Sequence, residues 1–76
     1  MKELISFIAT RLVDEPAEVQ TEQREDDGTI TVELRVAKND LGKVIGKQGR
    51  TARAMRTVLA AMAARDEKRS RLEIVE

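Results

Sequence analysis

Gly46-Lys47-Gln48-Gly49-Arg50 is the one stretch of this sequence whose residue types and spacing point to a definite chemistry. Glycine lacks a Cβ, so two glycines three positions apart let a chain bend sharply and let a sugar-phosphate backbone come close. Good helix formers follow from Arg50, which places a helix start directly after the loop. The first amides of a helix and the positive end of its dipole favour an anion. Lys47 and Arg50 bring mobile cations to the same spot. All four features suit a phosphate. Spacing alone would carry little, because most GxxG segments are ordinary turns between helices. The aliphatic pair Val44-Ile45, expected to anchor a short preceding helix in the core, and the flanking cations give this one its weight.

Other chemistries are poorly supplied. The chain has no cysteine and no histidine, so a thiol or imidazole nucleophile, a disulfide and a Cys/His metal site are all out of reach. The carboxylates cluster in turns and in a weak strand, away from any pocket-like motif. A Walker loop needs G-x-x-x-x-G-K-[ST], and the spacing here is shorter. No enzyme activity, cofactor, metal or small-molecule substrate is therefore expected. Phe7 is the only aromatic residue, so contact with a single strand must rest on backbone, aliphatic and cationic groups and not on stacking rings.

The formal net charge is zero, but its distribution is uneven. Residues 1–37 carry four basic and nine acidic side chains, whereas residues 38–56 carry six basic ones (Lys38, Lys43, Lys47, Arg50, Arg53, Arg56) against Asp40 alone. That concentration of positive charge in a neutral chain points to a local anionic partner. The start, Met1-Lys2-Glu3-Leu4, resembles neither a signal peptide nor a membrane span. A cytoplasmic protein is the expectation.

The elements that must position the loop can be read from periodicity. Leu4, Ile5, Ile8, Ala9, Leu12 and Val13 fall at helical spacing, and Asp14-Glu15-Pro16 ends that helix. Ala17 to Arg24 reads as a weakly patterned edge strand. A turn at 25–28 follows, since Asp-Gly is a strong hairpin signal. Thr29 to Ala37 alternates cleanly, with Ile30, Val32, Leu34 and Val36 on one face. Asn39-Asp40 is placed to cap a short helix over Leu41 to Ile45. A long helix runs from Arg50 to about Arg65, its apolar face predicted as Ala52, Met55, Leu59 and Met62 with Val58 beside it. Asp66 to Arg69 connects to a last strand, Arg71 to Val75. Residues 1–76 thus form a single α+β domain of order α-β-β-α-α-β. Its three-stranded mixed sheet should carry the helices on one face, with the first two strands in a hairpin and the third parallel to the second.

Val44-Ile45-Gly46-Lys47-Gln48-Gly49, in this order of elements, resembles the KH domain, whose GxxG loop clamps backbone nucleotides. The arrangement is similar to the type II form of that fold. More narrowly, the chain resembles the small bacterial KhpA family over its whole length, through the first helix ending Val13-Asp14-Glu15-Pro16, the strand 32–37, the segment 41–50 and Arg56-Thr57-Val58. The resemblance implies a cytoplasmic RNA-binding protein, an RNA chaperone or post-transcriptional regulator. Its partners would be single-stranded RNA and a second KH protein, KhpB, and its setting cell shape and division. It further implies that Gly46, Lys47, Gln48 and Gly49 form the clamp, with bases in a groove between the flanking helices and the edge of the second strand. Ile45, Leu41 and Val36 are candidates for the groove floor, though buried aliphatic residues are more often simple core. Lys43, Arg50, Arg53 and Arg56 are candidates for phosphate neutralisation or for a solvated face. Ala52 departs from the pattern, since KH domains usually carry a larger aliphatic residue there. The run Ala60, Ala61, Ala63 and Ala64 reads as helix propensity or as the close approach of a second helix, which would make a dimer surface. Two rival classes remain: a protein-interaction module with little affinity for RNA, and a helix-turn-helix reader of duplex DNA.

Overall fold

Alternation decides the central strand, and the core grows around it. The computed structural model describes residues 1–76. Strand β2 spans Thr29–Arg35, and Ile30, Val32 and Leu34, with Val36 just beyond, are buried on one face. β-branched and aliphatic side chains at every second position suit a pleated surface covered on one side. Strand β1, Gln20–Asp26, pairs with β2 in antiparallel register from Gln20↔Arg35 to Asp26↔Thr29. The two-residue turn between them has positive φ at both Asp27 (51°) and Gly28 (77°), the type I′ geometry expected of Asp-Gly. Strand β3, Arg69–Val75, runs parallel to β2 from Thr29↔Arg69 to Arg35↔Val75. The order across the sheet is β1-β2-β3, so the expected hairpin and crossover are both present.

Three helices cover one face of the sheet. Helix α1 spans Lys2–Leu12, α2 Leu41–Ile45 and α3 Arg50–Arg65. Ile5 and Ala9 from α1, Val44 from α2, and Met55 and Leu59 from α3 meet Val32, Leu34, Val36 and Leu72 in one cluster. No helix is long and apolar enough to cross a membrane.

Several boundaries depart from the sequence reading. Pro16–Glu18 forms a single 3-10 turn, so β1 starts at Gln20 instead of Ala17. Proline fixes φ at the start of that turn and has no N–H to give to a strand ladder. On α3 the buried residues are Ala52, Met55, Leu59 and Ala63, not Met62. At 100° per residue Ala63 lies nearer the middle of the buried stripe than Met62 does. Val58 is 39% exposed on the outer side. Ala52 is buried.

Candidate nucleic-acid interface

Three of the four loop residues, Gly46, Gln48 and Gly49, take positive φ. The N–H of Gly46 donates to the carbonyl of Gly42 (2.9 Å) and closes α2. Gly46 then takes φ 79°, ψ 170°, a region open essentially to glycine alone. A Cβ there would stand 2.8 Å from Thr51 Cβ and 2.9 Å from the Thr51 backbone nitrogen. Gly46 is thus pressed against the first turn of α3. Residues Lys47–Gly49 make a 3-10 turn, with the Gly49 N–H donating to the Gly46 carbonyl at 3.0 Å. Gln48 (φ 57°, ψ 25°) and Gly49 (φ 74°, ψ 14°) are both left-handed.

The two glycines therefore do different work. The sequence reading gave both the task of admitting a ligand. At Gly46 the close approach is between two parts of this chain. At Gly49 a Cβ would meet nothing within 4 Å, so that glycine relieves the left-handed torsion on the open side of the loop. Gln48, left-handed without being glycine, is a strained position that no sequence pattern announces. Its Oε1 accepts a hydrogen bond from Arg50 Nη2 at 3.2 Å, which ties the loop tip to the start of α3.

The candidate side chains separate into three groups. Lys47, Arg50, Arg53 and Arg56 are exposed, and none forms an ion pair among the six in the molecule. They remain available to an anion along the loop and the first turns of α3. Lys43 is engaged elsewhere: its Nζ lies 2.8 Å from Asp14 Oδ2 and 3.6 Å from Asp40 Oδ1. The hydrogen bond to Asp14 is the main reason its ammonium holds its proton more tightly than usual. The aliphatic group also divides. Val36 is core and Leu41 is half-buried against it, whereas Ile45 is 40% exposed beside the loop. Only Val44 of the expected anchoring pair is in the interior.

Asp40 is the functional-looking residue whose role the sequence did not reveal. It sits at the N-cap position of α2 but makes no cap hydrogen bond. Its carboxylate, 1% exposed, instead accepts the N–H of Asp14 (Oδ1, 3.1 Å) and of Glu15 (Oδ2, 3.1 Å). The hydrogen bond from Asp14 leads the effects that hold this carboxyl below the usual range, with Glu15 and Lys43 adding to it against the opposing cost of burial. The signal that could have found it was the break after α1, which leaves two amides in need of an acceptor.

The edge of the second strand, where a groove is expected, is not free. Strand β2 is paired on both sides and has no free edge. The free edge that adjoins α3 belongs to β3, and an open concavity of about 380 Å³ lies between them, lined by Arg56, Ala60, Ser70, Arg71 and Leu72. No group of three or more Asp or Glu side chains converges to hold a metal.

Comparison with known proteins gives one consistent result. The family described as "KhpA/KhpB, KH domain" matches residues 2–74. The chain is 49% identical over 76 residues to "RNA-binding protein KhpA" of Chlamydia trachomatis, covering all of this chain and 97% of that protein. It is 51% identical over 75 residues to the protein of that name in Clostridium acetobutylicum, covering 99% of this chain and all of the relative. The Listeria monocytogenes protein is 47% identical over 76 residues, with both chains fully covered.

Proposed function

Because the chain belongs to the KhpA/KhpB family of KH domains, we propose that it binds single-stranded RNA by clamping the sugar-phosphate backbone at Gly46–Gly49. The carrying observation is the strained turn itself: left-handed Gln48 and Gly49 expose the loop beside Lys47 and Arg50, two cations with no carboxylate partner. Relatives that match along their whole length are named as RNA-binding proteins. Bases leaving the clamp lie along the concavity between α3 and β3, with Ile45 as its apolar contact near the loop. Arg53 supplies charge along the path. A clamp for about four nucleotides with no aromatic ring beside it binds weakly by itself. A second KH domain, from KhpB or from another copy of this chain, would raise affinity through avidity. The role is then that of a cytoplasmic RNA chaperone or post-transcriptional regulator, acting by binding and not by catalysis.

The test is Lys47→Asp combined with Gln48→Asp, which places two negative charges in the clamp. Crosslinking to single-stranded RNA should be lost while the circular dichroism spectrum is unchanged. Retained crosslinking would remove the loop from the mechanism, and preference for duplex DNA over RNA in competition would favour the rival reader.

One observation supports self-association. Ala63 of the alanine run is buried within this chain, but Ala61, with Ala54 and Val58, forms an exposed stripe at helical spacing on the outer side of α3, with little bulk to keep a second helix away. Sedimentation at tens of micromolar should show a dimer, and a strict monomer, alone and with a partner KH protein, would count against that surface.

A further inference from the structure

The helix-free face of the sheet carries its own arrangement of charge. Register puts Arg24, Thr31 and Arg71 in one row across the three strands and Asp26, Thr29 and Arg69 in the next. These residues surround an open concavity of about 500 Å³ that has no hydrophobic lining. Thr31, at its centre, is only 7% exposed although no helix covers this face. Three guanidinium groups stand in these two rows against one carboxylate, Asp26, while the row on the other side of Arg24–Thr31–Arg71 is acidic, with Glu22, Glu33 and Glu73. Arg24 is bonded to Glu73 at 3.2 Å, outside the two rows. Arg69 and Arg71 have no ion-pair partner at all.

We propose that Arg24, Arg69 and Arg71, over the hydroxyls of Thr29 and Thr31, form a second phosphate site that holds the backbone of a longer RNA after it leaves the loop. The inference rests on the reading of Gly46–Gly49 as an RNA clamp and extends it. Guanidinium forks match phosphate oxygens two at a time, and within the concavity three of them converge over two hydroxyls, at the end of the face away from the Glu22, Glu33 and Glu73 row. Continuity argues for a strand in place of a small free anion. Ser70 and Arg71 line both this concavity and the one between α3 and β3, so the two meet at the free edge of β3. Helix α3, with 16 residues, is about 24 Å long and carries Arg53 and Arg56 from the clamp towards that edge. Such a path outruns a clamp for about four nucleotides. With no aromatic ring on this face, the contacts are to phosphate and ribose and carry no base preference.

The experiment compares a uridine tetranucleotide with a uridine dodecanucleotide on the full chain, as wild type, as Arg24→Ala with Arg69→Ala, and as Lys47→Asp with Gln48→Asp. Arg24 and Arg69 touch only the sheet-face concavity. Their removal should leave the tetranucleotide affinity unchanged, weaken the dodecanucleotide several-fold and flatten its salt slope by about 1.4, the value for two phosphates on a single strand. Arg24→Lys with Arg69→Lys should restore the salt slope, which follows charge, but only part of the affinity, because an ammonium cannot replace the guanidinium fork. Backbone amides of Thr29, Thr31 and Ser70 should shift with the dodecanucleotide and not with the tetranucleotide. Unchanged dodecanucleotide affinity and slope in the alanine variant would overturn the proposal. So would equal shifts of those amides with inorganic phosphate alone, which would make this a general anion site. Undiminished tetranucleotide binding by the loop variant would instead overturn the clamp reading.

Discussion

Gly46, Gly49 and Gly42 are chemically the same residue in three different situations, and replacing each with alanine should separate them. Gly46 lies in a glycine-only backbone region and has Thr51 where a Cβ would go. Its alanine variant meets both strain and collision, and should lose about 2 kcal/mol or more of stability. Gly49 is left-handed but open, so alanine there costs only the torsional term, about 1 kcal/mol. Gly42 lies within α2 with nothing near its missing Cβ. Alanine should stabilise the fold by about 0.4–1 kcal/mol. Urea midpoints in the order Gly42→Ala above wild type, then Gly49→Ala, then Gly46→Ala are expected. A Gly46→Ala midpoint equal to that of Gly49→Ala would show that the packing on Thr51 is not felt. The two loop glycines were visible in the sequence as a pair; their division of labour was not, because it depends on which one α3 leans against.

At the scale of elements, the end of α3 shows how a structural stop can be hidden. The Lys68 N–H donates to the Ala63 carbonyl (2.9 Å) and the Glu67 N–H to that of Ala64 (3.0 Å). Those two bonds, with Glu67 left-handed at φ 58°, are a Schellman stop. Glycine normally occupies that left-handed position, and glutamate conceals it. Glu67→Gly should therefore raise stability by about 0.5–1 kcal/mol, while Glu67→Ala, with the same Cβ strain, should change it little. Denaturant unfolding of the two variants decides the matter; a gain in both would point to the lost charge. The neighbouring error, Met62 for Ala63, has a related origin. Hydrophobicity ranks methionine above alanine, but burial follows angular position, and here the smaller side chain lies closer to the buried stripe's centre.

Two expectations belong to the whole molecule. Asp40 joins the α1–β1 connection to α2, segments some 26 residues apart. Its carboxyl is held below its ordinary value, so it binds protons less readily folded than unfolded. The stability it contributes is present above the unfolded pKa, about 3.9, and is lost as the pH falls through the lower folded value. Asp40→Asn should thus lower the urea midpoint clearly at neutral pH, with the gap narrowing below about pH 4. A gap that stays constant would mean that ionisation of this group is not what the fold uses. The second expectation concerns RNA. If the clamp neutralises roughly two to four phosphates, log K for a tetranucleotide should fall against log salt with a slope of about −1.4 to −2.8. An affinity indifferent to salt would contradict a binding mode led by Lys47 and Arg50.

Periodicity and glycine spacing were enough to read out three strands, three helices, the hairpin and the place of the loop, because those features depend on local torsions and on alternation along the chain. The sheet order followed from connection length. What local pattern does not carry is the company each residue keeps. Ile45 surfaces while Val44 is buried, Lys43 turns to Asp14 and Asp40, and Asp40 serves amides from another segment instead of its own helix. The free edge beside α3 is that of β3 and not of β2, and arginines from two separate strands came together on the helix-free face. Each of these outcomes is a distance between groups far apart in sequence, and only the packing of helices against one side of the sheet sets those distances.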